Sequence, residues 1–459
     1  MSITLTFTDF TLGGDIDLQD SAIGVLQYDP QPPTSEDIDR ITETITVYLN
    51  SGAKAARTGN GFIHRLERYF ERARRRQKLG TGLRIYLQYK PYAADATYRT
   101  EVLDGRVVWR SGTASAAWLP SDTGECAIIF TRRAYWEADT EAEIPLSVGS
   151  TAATGGVNIV NHNDSEAGDN NWVLIDSTDV VGSLPAPIRL EFTATNAATY
   201  EQLWICHTIE TDDGSGTDQI WTIEGEANED ATPGTVTADS SSSGDNYIVE
   251  QWTETTEKTI FHDTLTGAYL SAAGANPFRA ILRVKTQTYS DLYVRLWIAD
   301  SGGSELWTSP LVLAQDNSEV IDMGEIPSIP PIPAADGATD ITDHRLYISV
   351  TKATVGTKTL NLDCIHMFPI DGGFRKLEAT ANGATNTQKI IDDGILGRTY
   401  RETSGGEQWA MFVSFGEYIK VVPGRTQRIA FLFKSSVGTA TPTFTGTVRM
   451  YYRARRASF

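Results

Sequence analysis

Cysteine is scarce in this chain: three residues in 459, Cys126, Cys206 and Cys364, with no CxxC spacing. An odd number of scattered cysteines argues against a disulfide framework and against a thiolate zinc site, and it suits assembly in a reducing cytoplasm. Cys126 and Cys364 stand inside apolar runs, where the thiol acts as a small hydrophobe. Basic charge is also short. The 39 Lys and Arg against 59 Asp and Glu leave a net charge of −20, which disfavours nonspecific contact with nucleic acid or anionic lipid. No apolar run reaches the roughly 20 residues that span a bilayer. Residues 1–14 alternate Ile3, Leu5 and Phe7 with Thr4, Thr6 and Thr8, the mark of a strand and not of a signal peptide.

Catalytic signatures are missing as well. HExxH, GxSxG and GxxxxGK[ST] do not occur, and the six histidines (64, 162, 207, 262, 344, 366) fall one to a region. His162 with Asp164 is a commonplace loop pairing. The close acids Asp212-Asp213, Glu224-Gly225-Glu226 and Asp392-Asp393 are candidates for a glycoside-hydrolase pair. Such a pair converges across a cleft at about 5–9.5 Å, whereas neighbours along one strand point to opposite faces. The acidic loops 164–169 and 212–218 offer oxygen ligands for calcium without the full EF-hand pattern. Neither an enzyme nor a cofactor is expected.

What is present is β patterning. Residues 98–137 read as strands around Asp104-Gly105, which offers a turn or a bulge. The run 126–130 is continuously apolar, as in a strand buried on both faces. Arg132 and Arg133 follow it beside Tyr135 and Trp136, which can stack with them. Residues 42–49 form another strand, with Ile45, Val47 and Leu49 on one face. One helix is expected at 61–78, with Asn60 as a possible N-cap, Phe62, Ile63, Leu66, Tyr69, Phe70 and Ala73 on its apolar face, and Gly80 as its stop.

The expected class is mainly β: an N-terminal β-sandwich-like domain carrying the helix (1–145), then jelly-roll or β-sandwich domains. Residues 146–245 would open a second β domain, with strand 188–195 beside strand 203–209, a polar loop at 158–169 and a flexible linker at 228–245. A jelly-roll insert resembling carbohydrate-binding domains would occupy 246–375. The four prolines in 326–333 make a rigid connection. Strands in 376–459, including 408–415, 427–434 and 446–453, would complete the second domain.

The segments EVLDGRV and FTRRAYWE within 98–137 resemble the N-terminal domain of tail-tip proteins from long-tailed bacteriophages, the distal-tail and minor-tail proteins that form rings between tail tube and baseplate. Further similarity lies in 182–190, 360–375 and 421–456. The resemblance implies a structural subunit that is not catalytic, a component of the virion tail assembled in the host cytoplasm. Its implied partners are other copies of itself, in a ring of six, together with tail-tube and tail-tip or fibre proteins. The alternatives are a receptor-recognition protein that binds host-surface glycan and a polysaccharide hydrolase. Two groups of residues serve these readings. Arg65, Arg68, Arg72 and Arg75 recur on one helix side, either as a solvated face or as a subunit interface. Tyr293 and Trp297 share strand parity with Arg295, as a sugar platform or as a wet sheet surface.

Overall fold

The computed structural model describes residues 4–8, 15–18, 23–32, 39–49, 62–80, 84–90, 96–109, 124–148, 152–161, 170–195, 199–209, 221–229, 234–265, 277–285, 291–300, 302–314, 320–326, 344–370, 372–380, 383–409, 411–434 and 445–457. Their fold is mainly β with one α-helix among the described residues. The chain divides into two compact units. The first holds residues 1–142, 181–186 and 453–459, the second 143–180 and 187–452.

In the first unit one nine-stranded antiparallel sheet runs in the order Ile16–Asp17, Thr4–Thr8, Ile85–Lys90, Tyr98–Trp109, Gly124–Arg133, Arg40–Leu49, Ile23–Gln27. Trp136–Ala138 pairs with Tyr98–Trp109 and with Arg455–Arg456 from the far end of the sequence. The described strands form a single sheet where two facing sheets were expected, because the helix Phe62–Leu79 supplies the covering layer. Leu66, Tyr69, Phe70 and Ala73 are buried on it, and Ile63 packs alongside. Phe7 meets Phe70 and Phe130 edge-on, each at 5.8 Å between ring centres. Burying a side chain such as Phe70 contributes about 1.5–3 kcal/mol. Gly80 ends the helix in a left-handed conformation (φ 67°), its N–H donating to the Arg76 carbonyl at 2.8 Å.

Asp104-Gly105 is not a turn: both residues are paired within the strand, opposite Thr131 and Phe130, and the bulge falls just before them, at Leu103. The strand Tyr98–Trp109 continues through them, with a register shift between Val102 and Asp104 against Gly124–Arg133. Gly105 has a further reason to be glycine: a Cβ there would stand 2.5 Å from the Phe70 ring. The run 126–130 is buried except at Ile129, which is half-buried.

The second unit contains two pairs of sheets. In the first pair, a seven-stranded sheet runs Ala152–Ala153, Leu146–Ser147, Trp172–Ile175, Gln427–Lys434, Gln202–Ile209, Gly373–Ala379, Phe412–Gly416. Its facing sheet runs Val157–Val160, Thr445–Tyr452, Ala186–Ala194, Lys389–Asp393, Arg398–Thr403, Gly406–Trp409. Phe192 of one sheet and Phe433 of the other lie 4.3 Å apart between ring centres, with Tyr200 against both.

Four sequence expectations need correction here. The strands at 188–195 and 203–209 are not neighbours: they lie in facing sheets, and each pairs with a C-terminal strand instead. The stretch 408–415 is not one strand but two, Gly406–Trp409 and Phe412–Gly416, in different sheets. The loop at 158–169 begins as the strand Val157–Val160, paired to Thr445–Tyr452; residues 162–169 lie outside the described residues. The linker at 228–245 contains the strand Thr235–Ala238, paired with Asn246–Trp252. In each case the partner's backbone groups decide, and side-chain periodicity does not name a partner.

The other pair of sheets encloses a separate core that includes Phe261, Leu282, Leu296, Ile348 and Leu362. One sheet runs Thr235–Ala238, Asn246–Trp252, Lys358–Pro369, Phe278–Val284, Val320–Ile326, with Trp221–Glu224 beside Lys358–Pro369. The other runs Lys258–Leu265, His344–Lys352, Leu292–Ala299, Glu305–Thr308, with Val312–Ala314 beside Leu292–Ala299. Trp204, Cys206, Ala430 and Leu432 of the seven-stranded sheet share a cluster with Ile281, Val320 and Phe368 of this sandwich, so the two pairs of sheets are packed on each other through apolar side chains. The proline-rich segment 327–333 lies outside the described residues.

Candidate interaction surfaces

Among the described residues, the close acids Asp392 and Asp393 are each held in an ion pair. Asp392 is held by Arg375 and Asp393 by Arg398 and the Leu396 N–H, while Asp212 and Asp213 lie outside the described residues. Glu224 and Glu226 both come near a turn residue, Gly244. His207 is buried between the Gly372 carbonyl and Gln427, and His366 stacks on Phe368. Among the described residues no three His, Cys, Asp or Glu side chains are grouped to hold a metal ion. All three cysteines are free and buried; burial pushes the Cys126 thiol up to about 12.

The helix is the most concentrated charge in the chain. Its 18 residues, FIHRLERYFERARRRQKL, hold six arginines and one lysine against two glutamates. The structure separates the four arginines singled out from sequence. Arg65 donates to the Asp15 carbonyl at 2.6 Å. Arg72 is half-buried, over the Tyr69 ring at 6.0 Å. Arg68 and Arg75 are exposed, Arg75 3.6 Å from Glu71 one turn earlier. Arg74 and Arg76, outside that periodic set, reach Asp104 (3.5 Å) and Glu101 (3.3 Å) on the sheet. A cleft of about 380 Å³ runs between helix and strand, lined by Glu67, Arg68, Glu71, Arg74, Gly105, Arg106 and Val107.

Tyr293, Arg295 and Trp297 do share one half-buried face of Leu292–Ala299. Register then brings up residues that no linear pattern indicates. Trp297 lies opposite Tyr347, and Tyr347 opposite His262. The Trp297 and Tyr347 rings stack at 4.0 Å and 11°, and His262 stacks on Tyr347 at 5.6 Å. The indole N–H donates to Ser349 Oγ at 2.9 Å. Arg295 is bound by Glu257 (2.7 Å) and Glu305 (3.1 Å). The row is therefore a ladder of rings stacked on one another, with part of its aromatic faces already used, and Tyr293 stands beside it opposite Thr351 and Leu313.

No family model matches the chain, and no curated protein matches it. Solved structures similar to it include the infectious bursal disease virus Gx strain, 10% identical, covering 69% of this chain and 81% of that one at a TM-score of 0.19. An exo-beta-1,3-galactanase from Phanerochaete chrysosporium with galactose is 8% identical over 72% of this chain and 82% of that one, at 0.21. The phage P2 baseplate in its activated conformation with Ca is 10% identical over 80% and 97%, at 0.18. At TM-scores this low none of the three carries a fold or a function to this chain.

Proposed function

We propose that this protein is a structural subunit of a bacteriophage or phage-derived tail, a distal-tail or baseplate adaptor that assembles with copies of itself between tail tube and tip. The observation that carries the reading is charge segregation: a helix with seven basic and two acidic residues on a chain of net −20. Such a basic surface suits an acidic surface on the next copy, and head-to-tail contacts of this kind close into rings at a fixed rotation. The sequence resemblance to tail-tip proteins supports the same reading. We read the sandwich of residues 221–369 as a jelly roll, since from Asn246–Trp252 to Lys358–Pro369 successive strands cross between the two sheets at every step except from Leu292–Ala299 to Glu305–Thr308 and Val312–Ala314, which stay in one sheet.

Reversing Arg68 and Arg75 to glutamate tests the assembly. Both are exposed, so the monomer should stay folded while light scattering reports loss of the oligomer; wild-type oligomers should dissociate as salt is raised. A double variant that assembles as wild type would sink the reading. A second reading, glycan recognition by the sandwich, is favoured by the outward aromatic row alone. On that reading, retention on host-surface polysaccharide should fall at least about tenfold in Trp297→Ala, the loss of one stacked anchor. Equal retention would remove it.

A further inference from the structure

We infer that the outer face of the sheet containing Leu292–Ala299 and His344–Lys352 docks the arginine-rich helix of a second copy, an inference that rests on the assembly proposed above. Leu292, Val294, Leu296 and Ile298 belong to the sandwich core, so Tyr293, Arg295 and Trp297 point away from it. The facing sheet of this sandwich, and not this one, packs on the seven-stranded sheet, through Ile281, Val320 and Phe368. On the outer face the aromatic row is bordered by three leucines. Leu306, Leu311 and Leu313 are 44%, 51% and 39% exposed. Leu313 lies opposite Tyr293, and Leu306 falls in the register shift beside Ile298 and Ala299. A single exposed leucine needs no explanation, but three bordering a row of rings form a patch, and such patches mark protein contacts.

The face already shows how it holds a guanidinium. That of Arg295 lies 5.7 Å from the Trp297 ring centre, and its Nε and Nη1 donate to Glu257 and Glu305 at 2.7 and 3.1 Å. Rings and carboxylates in one place are the two features that bind arginine. Glu229 stands at the other end of the row, accepting from Thr264 Oγ1 at 2.8 Å and lying 4.0 Å from His262 Nε2. These three exposed carboxylates outnumber the two half-buried cations of the face, Arg295 and Arg345, among the described residues. The surrounding chain is acidic as well: residues 221–369 hold 21 acidic and 8 basic residues. The helix is the complement in both charge and apolar surface. Arg68 and Arg75 are exposed, seven positions and so about two turns apart on one side. Leu79, one turn further, is 64% exposed. Guanidinia would meet the rings and carboxylates, while Leu79 and the arginine stems cover the leucines. In a head-to-tail contact the helix of one copy meets the sandwich of the next, so each copy uses both surfaces once.

A charge swap on the full chain, read by light scattering, tests this. Arg68→Glu with Arg75→Glu reverses the helix; Glu229→Lys with Glu305→Lys reverses the sandwich, where Arg295 keeps Glu257. Each double variant alone should stay monomeric, and an equimolar mixture should recover the oligomer, because each reversed surface then meets its complement. Hydrogen exchange supplies a readout that needs no change in the sandwich. On assembly of the wild type it should slow in 62–79, 292–299 and 305–314 together, relative to the helix variant. Three results would overturn the inference and leave the assembly itself standing. One is a sandwich-reversed chain that assembles as wild type, and another is a mixture of folded variants that does not assemble. The third is assembly that protects the helix but neither 292–299 nor 305–314. Wild type that stays monomeric would sink the inference and the assembly alike. Protection of Leu292–Ala299 by added bacterial cell-wall polysaccharide, with none on assembly, would overturn it by giving the face to glycan.

Discussion

Replacing Arg132 by alanine should destabilise the first unit by about 3–5 kcal/mol, the cost of stranding a buried charge. Arg132 has no exposed surface. Its Nε and Nη2 donate to the two Glu43 oxygens at 2.9 and 2.6 Å, and Nη1 and Nη2 donate to the carbonyls of Arg133 and Gln31 at 2.7 and 3.1 Å. The guanidinium lies 4.7 Å from the Trp136 ring centre. Glu43 also accepts from the Tyr28 hydroxyl and the Gln31 N–H, both at 2.8 Å, so it ties together the segment holding Tyr28 and Gln31 and the strand holding Arg132. Without Arg132 that carboxylate keeps two donors and loses its counter-charge. Hydrogen exchange in Gly124–Arg133 under increasing urea would read the loss. The double variant Arg132→Met, Glu43→Leu should recover part of it, because removing both charges spares the desolvation cost. A single variant that falls by less than about 1 kcal/mol would assign the pair the value of a surface salt bridge.

Arg375→Ala should cost a similar amount, about 3–5 kcal/mol, in the second unit. Arg375 and Asp392 are both buried and belong to facing sheets. Nε and Nη2 donate to the two carboxylate oxygens at 2.6 and 2.9 Å, Nη1 to the Gly416 carbonyl at 2.9 Å, and Nη2 also to Thr399 Oγ1 at 3.1 Å. The Tyr418 ring covers the guanidinium at 3.7 Å. One planar group thus joins two sheets and the end of the edge strand Phe412–Gly416. Arg375→Lys should remain closer to alanine than to wild type, since a point charge cannot reproduce a planar fork. Urea unfolding followed by exchange in Gly373–Ala379 and Lys389–Asp393 distinguishes the two; a lysine variant with wild-type stability would show that charge alone suffices.

Much of this architecture was legible in the linear pattern. The helix appears within one residue of 61–78 because six apolar positions repeat at helical spacing and glycine stops it. The strands Trp172–Ile175 and Gln427–Lys434 fall where their apolar runs are. Arg132 beside Trp136 was marked by adjacency alone; its union with Glu43, 89 positions away, was not. The helix arginines were visible as a periodic set, but only the fold separates Arg68 and Arg75, which face outward, from Arg65 and Arg72, which are engaged by the molecule itself. The same holds for the ladder of His262, Tyr347 and Trp297, assembled by strand register from three distant segments.

Composition and periodicity are local properties, and they determined that this chain is acidic, mainly β and carries a basic helix at Phe62–Leu79. Which strands become neighbours was decided only in the tertiary structure. A backbone N–H or C=O carries no mark of its partner, so the pairing of Ala186–Ala194 with Thr445–Tyr452 follows from how the apolar faces close over shared cores, which no single stretch of sequence contains.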